Sequence, residues 1–110
     1  MELHRYELTD GEAMARKHPD SFEMPERRDR DNLQPGDAAK LIFDNAERMW
    51  VEVEGRDDEG GYVGRLDNDP VVVPLSCGDV VRFGPEHVIE IMTLREVEAM
   101  RDARATPARA

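Results

Sequence analysis

The segment Asp67-Asn68-Asp69-Pro70 sets two carboxylates and an amide within one turn. Oxygen donors that close are the raw material of a Ca2+ or Mg2+ site. The spacing is not that of the helix-loop-helix calcium loop, and no glutamate follows at the right place. The same residue types build ordinary turns in which side-chain oxygens accept from nearby amides. No metal or other cofactor is therefore expected. Asp57-Asp58-Glu59, followed by Gly60-Gly61, reads as an exposed hairpin tip.

Trp50 lies in an alternating stretch. Met49, Val51 and Val53 fall on one strand face, and Arg48, Trp50, Glu52 and Glu54 on the other. A large aromatic on a polar face has the character of a binding hot spot. Tryptophan is also usually well buried, and the expectation is that the amino-terminal segment covers this face through Phe22 and Met24. Arg65 is placed to pair across a hairpin with Glu52 or Glu54. Arg65 and Arg48 are also the cations suited to hold a carboxylate or phosphate. The candidate binding residues are thus Trp50, Arg48, Glu52, Arg65, Asp67, Asn68 and Asp69.

Nucleophilic chemistry has one candidate pair, Cys77 and His87. Such a pair needs a base within hydrogen-bond reach and an oxyanion site. No glycine-rich helix entry supplies the second, and His4 and His18 lie far along the chain. No phosphate loop, dinucleotide fingerprint or paired-histidine zinc motif is present. No catalytic residue is assigned, and the chain is not expected to be an enzyme.

These residues must be positioned by a small β-rich fold. Leu33-x-x-Gly36-Asp37 and Leu75-x-x-Gly78-Asp79 each precede an apolar run. They read as one turn solution used twice rather than as a duplication, with glycine taking the unusual backbone angle and aspartate accepting from amides. Strands are predicted at 39–43, 48–54, 62–66, 80–83 and 87–92, with a short extra piece at 71–73 ended by Pro74. Thr9-x-x-Glu12 and Thr93-x-x-Glu96 have the form of capping boxes. They predict helices over 10–17 and 94–104, and Pro25 to Asp29 predicts a further helical turn. Met14, Phe22 and Leu33 should dock the amino-terminal flank, and 106–110 should fray.

The fold class expected is α+β, mainly β. It is a small, strongly curved antiparallel sheet or SH3-like half-barrel with a short amino-terminal helix and a carboxy-terminal helix. A twisted open sheet with helices on one side is the alternative. Residues 1–35 form a flank, 36–92 the β core and 93–110 a helix and tail, all in one domain.

The chain of 110 residues carries a net charge of −10. Residues 33–92 hold 13 acidic and five basic side chains, so the acidity sits on the folded centre. Such a surface repels phosphate backbones and argues against nucleic acid. It attracts a basic protein partner, and it also serves solubility. The single cysteine rules out an internal disulfide. No apolar run is long enough to span a membrane, and Met1 to Tyr6 lacks the apolar stretch of a signal peptide. A cytoplasmic monomer is expected.

The blocks Gly36-Asp37-x-x-Lys40-Leu41-Ile42-Phe43, Glu47 to Val53, Gly64-x-Leu66-Asp67-Asn68-Asp69-Pro70, Gly78-Asp79-x-Val81-x-Phe83 and His87-Val88-Ile89 stand in a familiar order. Over roughly residues 22–92 the chain resembles the YegJ-like family of small bacterial domains of unknown function. The resemblance implies a small bacterial domain and carries over no activity, substrate or catalytic residue. Leu94 onward lies outside it. Together these readings lead to a non-enzymatic protein-binding module, immunity-like or accessory in role. The alternative is a small-ligand or enzymatic site near Trp50, Arg65, Asp67 and Asp69.

Overall fold

Asp44 and Asn45 both take a φ of 55°, a left-handed conformation that short polar side chains tolerate better than most. Two such residues in succession make the tight turn that matches the twist of paired strands. The Ala46 N–H closes it on the Phe43 carbonyl at 2.9 Å. This turn joins β1 (Ala38–Phe43) to β2 (Glu47–Arg56). The next hairpin is tied by Asp57, whose Oδ1 accepts from Glu59 N at 2.9 Å and Gly61 N at 2.8 Å. It leads into β3 (Tyr62–Leu66). After β4 (Val80–Phe83), Pro85–His87 forms a 3-10 turn, and β5 (Glu90–Met92) returns to pair with β1. The computed structural model describes residues 6–105; His4 and the predicted frayed end at 106–110 lie outside them.

The architecture is α+β and mainly β: a five-stranded antiparallel sheet in the order β4-β3-β2-β1-β5 that does not close on itself. Strict alternation sends Met49, Val51 and Val53 of β2 into the core with Leu41 and Phe43 of β1, Tyr62 and Leu66 of β3, and Val81 and Phe83 of β4. The Tyr62 and Phe83 rings stack with centroids 5.3 Å apart. Leu33, Val73, Leu75 and Val88 close the core from the connecting segments.

The two Leu-x-x-Gly-Asp elements form the same turn in atomic detail. Gly36 has φ 96° and Gly78 φ 95°. Each aspartate N–H bonds back three residues, Asp37 to Gln34 O at 2.9 Å and Asp79 to Ser76 O at 3.0 Å. Each aspartate Oδ2 accepts the opposite N–H, from Gln34 at 2.8 Å and Ser76 at 2.9 Å. Positive φ at the third position is the type II pattern, which a β-carbon would strain. Each turn is then stapled to a strand by a reciprocal pair: Gly36 N to Val53 O with Val53 N to Asp37 O, and Gly78 N to Leu66 O with Leu66 N to Asp79 O.

Three expectations are corrected. Residues 71–73 are not a strand, because another element takes up their N–H groups. The predicted strand over 87–92 shortens to Glu90–Met92, because Pro85 directs residues 85–87 into the 3-10 turn. Helix α1 (Gly11–Lys17) is capped by Asp10, whose carboxylate accepts from Ala13 N at 3.0 Å. The Thr9 hydroxyl instead donates to Asn45 Oδ1 at 2.7 Å, fastening the amino-terminal segment to the β1–β2 turn.

Helix α2 (Arg27–Arg30) ends in a buried arginine. Arg30 donates to Pro25 O, to Glu12 Oε2 and to Pro85 O at 2.8, 2.8 and 3.0 Å. One guanidinium thereby joins α1, α2 and the 3-10 turn, a role for which its fixed fork of donors is suited. The capping box at Thr93 forms as expected, with Thr93 N on Glu96 Oε1 at 2.9 Å and Glu96 N on Thr93 Oγ1 at 3.3 Å. It opens α3 (Leu94–Ala105), most of whose described surface is exposed. No helix among the described residues is long and apolar enough to cross a membrane.

Candidate functional site

Pairing across the sheet makes a row on the face opposite the core. Trp50 on β2 sits beside Lys40 on β1, and Lys40 beside Glu90 on β5. The Lys40 ammonium lies 5.0 Å from the centre of the Trp50 ring and 3.1 Å from Glu90 Oε1. A cation over an indole face, held by a carboxylate on its far side, is favourable on both counts. Beyond Trp50, β3 ends. The Asp67 N–H reaches Trp50 O at 2.9 Å, and the Asn68 side-chain oxygen accepts the Trp50 N–H. The Asx-rich turn therefore finishes the β2–β3 ladder and fixes the Trp50 backbone.

Trp50 is half-buried. Phe22 of the amino-terminal segment does reach this face, packing under the Arg48 guanidinium 5.9 Å from it, but neither Phe22 nor Met24, whose methyl approaches Gly11, lines the cleft beside Trp50. Helix α3 takes the place expected of them. It crosses the sheet so that Val97, Met100 and Arg101 face Trp50 across a cleft of about 170 Å3. Glu52, Asp67 and Asn68 also line this cleft, together with Ala38 and Met92. Arg101 reaches over to Glu52 Oε1 at 3.1 Å.

Four of the seven expected binding residues, Trp50, Glu52, Asp67 and Asn68, are thus brought to one cleft. The other three are not. Arg65 turns away to Glu54 Oε2 and to Gly78 O, both at 3.2 Å. Arg48 stacks on Phe22, and Asp69 is exposed beyond the lining. The predicted hairpin pair is therefore Arg65 with Glu54, while Glu52 is taken by α3. Cys77 is exposed in the second type II turn. His87 folds back so that Nδ1 accepts from Gly84 N at 2.9 Å.

Sequence reasoning missed Glu47. Its two oxygens accept the N–H groups of three successive residues, Val71 at 2.7 Å, Val72 at 2.5 Å and Val73 at 2.8 Å. The Val71 bond contributes most in holding the Glu47 carboxyl below its ordinary range. This clamp is what prevents 71–73 from pairing as a strand. Val73 turns inward, while Val71 stays 90% exposed and Val72 64%. The available signal was the pair Pro70 and Pro74: three N–H groups between two prolines need an acceptor from elsewhere.

Two other carboxyls are held low. Glu12 is lowered chiefly by the Arg30 guanidinium and Glu96 chiefly by the Thr93 N–H. Both hold elements in place, at α1 and at the start of α3. No family model, curated protein or solved structure matches this chain.

Proposed function

We propose that this chain is a non-enzymatic protein-binding module for a basic partner, accessory or immunity-like in role and working as a cytoplasmic monomer. The observation that carries the reading is the half-buried Trp50 at the base of the cleft under α3, with Met92, Val97 and Met100 around it and Glu52 and Asp67 at its rim. An apolar, aromatic centre inside a polar rim is how protein interfaces are built. At about 170 Å3 the cleft falls below the size of typical small-molecule pockets. The charge of −10 favours a cationic partner and accelerates encounter. Arg65 points away from Trp50 and Asp67, which weighs against the alternative ligand or catalytic site. The meander β1 to β4, with β5 returning past β1, supports reading the open sheet as an SH3-like half-barrel. The resemblance to YegJ-like domains agrees with a small bacterial accessory role.

The test is affinity capture with wild-type and Trp50→Ala bait, followed by mass spectrometry. The expected result is a basic protein retained by wild type, lost with Trp50→Ala and released as salt rises to about 0.3 M. Retention indifferent to both Trp50 and salt would overturn the reading.

A further inference from the structure

The sheet has a second surface feature, at the edge opposite β4. β5 pairs with β1 on one side only, and no strand among the described residues lies on its other side. In an antiparallel pair alternate residues turn their backbone N–H and C=O outward, so an edge strand offers a template for another chain. A groove of about 700 Å3 runs along this edge, between β5 and the segment that carries α2. Met24, Pro25 and Ile91 give it an apolar floor, each half-buried. Glu23, Asp29 and Glu90 stand exposed along it, and among the described residues no basic side chain lines it.

We infer that this groove takes an extended segment of a protein partner, added as a strand beside β5, with apolar and Lys/Arg residues alternating. The inference rests on the protein-binding reading above and gives it a location and a sequence type. Backbone pairing with the edge requires an extended conformation. The two-residue period of a strand then sets every second side chain on the floor and the others among the carboxylates. The carboxylates select cations and reject acidic segments. Glu90 also links the groove to the Trp50 cleft. An arginine arriving at Glu90 competes with Lys40 for that carboxylate, and Lys40 is the cation over the Trp50 ring. Occupation of the groove should therefore be visible in the fluorescence of the single tryptophan.

The probe is a blocked synthetic peptide alternating valine and arginine, titrated into the full chain by calorimetry and by Trp50 emission. Two control peptides carry glutamate for arginine, or a central proline that removes a backbone donor and disrupts strand pairing. The valine–arginine peptide should bind and shift Trp50 emission, and either control should weaken binding by about tenfold or more. Glu23→Lys, at an exposed position, should weaken binding by a similar factor with the circular dichroism spectrum unchanged. Amide shifts in NMR should concentrate in 23–33 and 89–93. No binding of the valine–arginine peptide overturns the groove assignment. So does binding that survives the central proline, or that falls with Glu52→Lys but not with Glu23→Lys. The capture experiment judges the broader binding reading separately, since it depends on Trp50 and not on the groove.

Discussion

The buried carboxylate of Asp37 accepts the backbone N–H of Leu94 through Oδ1 at 2.8 Å, across 57 positions of sequence. Its other oxygen holds Gln34 N in the turn that opens β1. One side chain therefore fixes both the entry to the sheet and the entry to α3, and α3 is the roof of the Trp50 cleft.

Asp37→Ala should release α3 while leaving the sheet paired. Two N–H groups lose a buried acceptor, which costs about 1–3 kcal/mol. Urea unfolding should show that loss, and hydrogen exchange should show α3 amides exposed before those of β1 to β3. By contrast Arg101→Ala, which removes a solvent-exposed pair with Glu52, should change stability by no more than about 1 kcal/mol. Equal effects of the two variants would mean that Asp37 is not the clasp.

Tyr62→Phe tests the join between the amino-terminal flank and the sheet. The fully buried Tyr62 hydroxyl donates to Arg30 O at 2.7 Å and accepts from Leu33 N at 3.2 Å. The phenylalanine keeps the stack on Phe83 but strands both backbone groups. The expected loss is about 1–3 kcal/mol with an unchanged denaturant slope. A loss near zero would show that water reaches those groups.

Acid should weaken the loop at 71–73. The folded-state pKa of Glu47 lies below the ordinary 4.5 because three backbone N–H groups stabilise its charge, that of Val71 most. Its contribution is complete above the unfolded value and disappears as pH falls through the lower, folded one. Glu12 and Glu96 are lowered too, so wild type should lose stability across the same acid range. Glu47→Gln lacks this titration and is weaker at neutral pH. In thermal melts from about pH 7 to pH 3 the gap between the two proteins should close on acidification. A gap independent of pH would remove Glu47 from the acid response.

Two glycines of the β2–β3 hairpin should answer oppositely to alanine. A β-carbon on Gly64 would run into the Glu52 carbonyl oxygen and the Val51 side chain, in the middle of the sheet. Gly64→Ala should cost about 1–3 kcal/mol or more, because backbone has to move. Gly55, at the irregularity between Val53 and Gly55, has open space where a β-carbon would go. Gly55→Ala should be neutral or gain about 0.5 kcal/mol from reduced backbone freedom in the unfolded chain. The comparison is a pair of denaturant melts.

Local chemistry was legible in the residues. The alternation of Met49, Val51 and Val53 named the buried face of β2, because side-chain direction in a strand has period two. Gly36-Asp37 and Gly78-Asp79 declared their turns, because only glycine takes that φ cheaply and a short carboxylate reaches its own turn. Thr93 and Glu96 declared the start of α3 for the same reason: the partners lie three residues apart. Where two adjacent residues could cap the same helix, the local pattern did not say which would. Asp10 accepts the Ala13 N–H and caps α1, and the Thr9 hydroxyl donates across the fold to Asn45.

What only the tertiary structure decided is every relationship that spans long stretches of chain. Nothing near Trp50 in sequence says that α3 rather than Phe22 and Met24 roofs it, since that follows from Asp37 holding Leu94. Nothing near Val71 says that Glu47 will occupy its N–H groups, and nothing in Arg30 says that it will be buried among three elements. These outcomes depend on which distant polar groups must be satisfied once the apolar face of the sheet is covered. Sequence period fixes which side chains go inward. The need to pair every buried donor and acceptor then selects the neighbours, and that selection exists only in three dimensions.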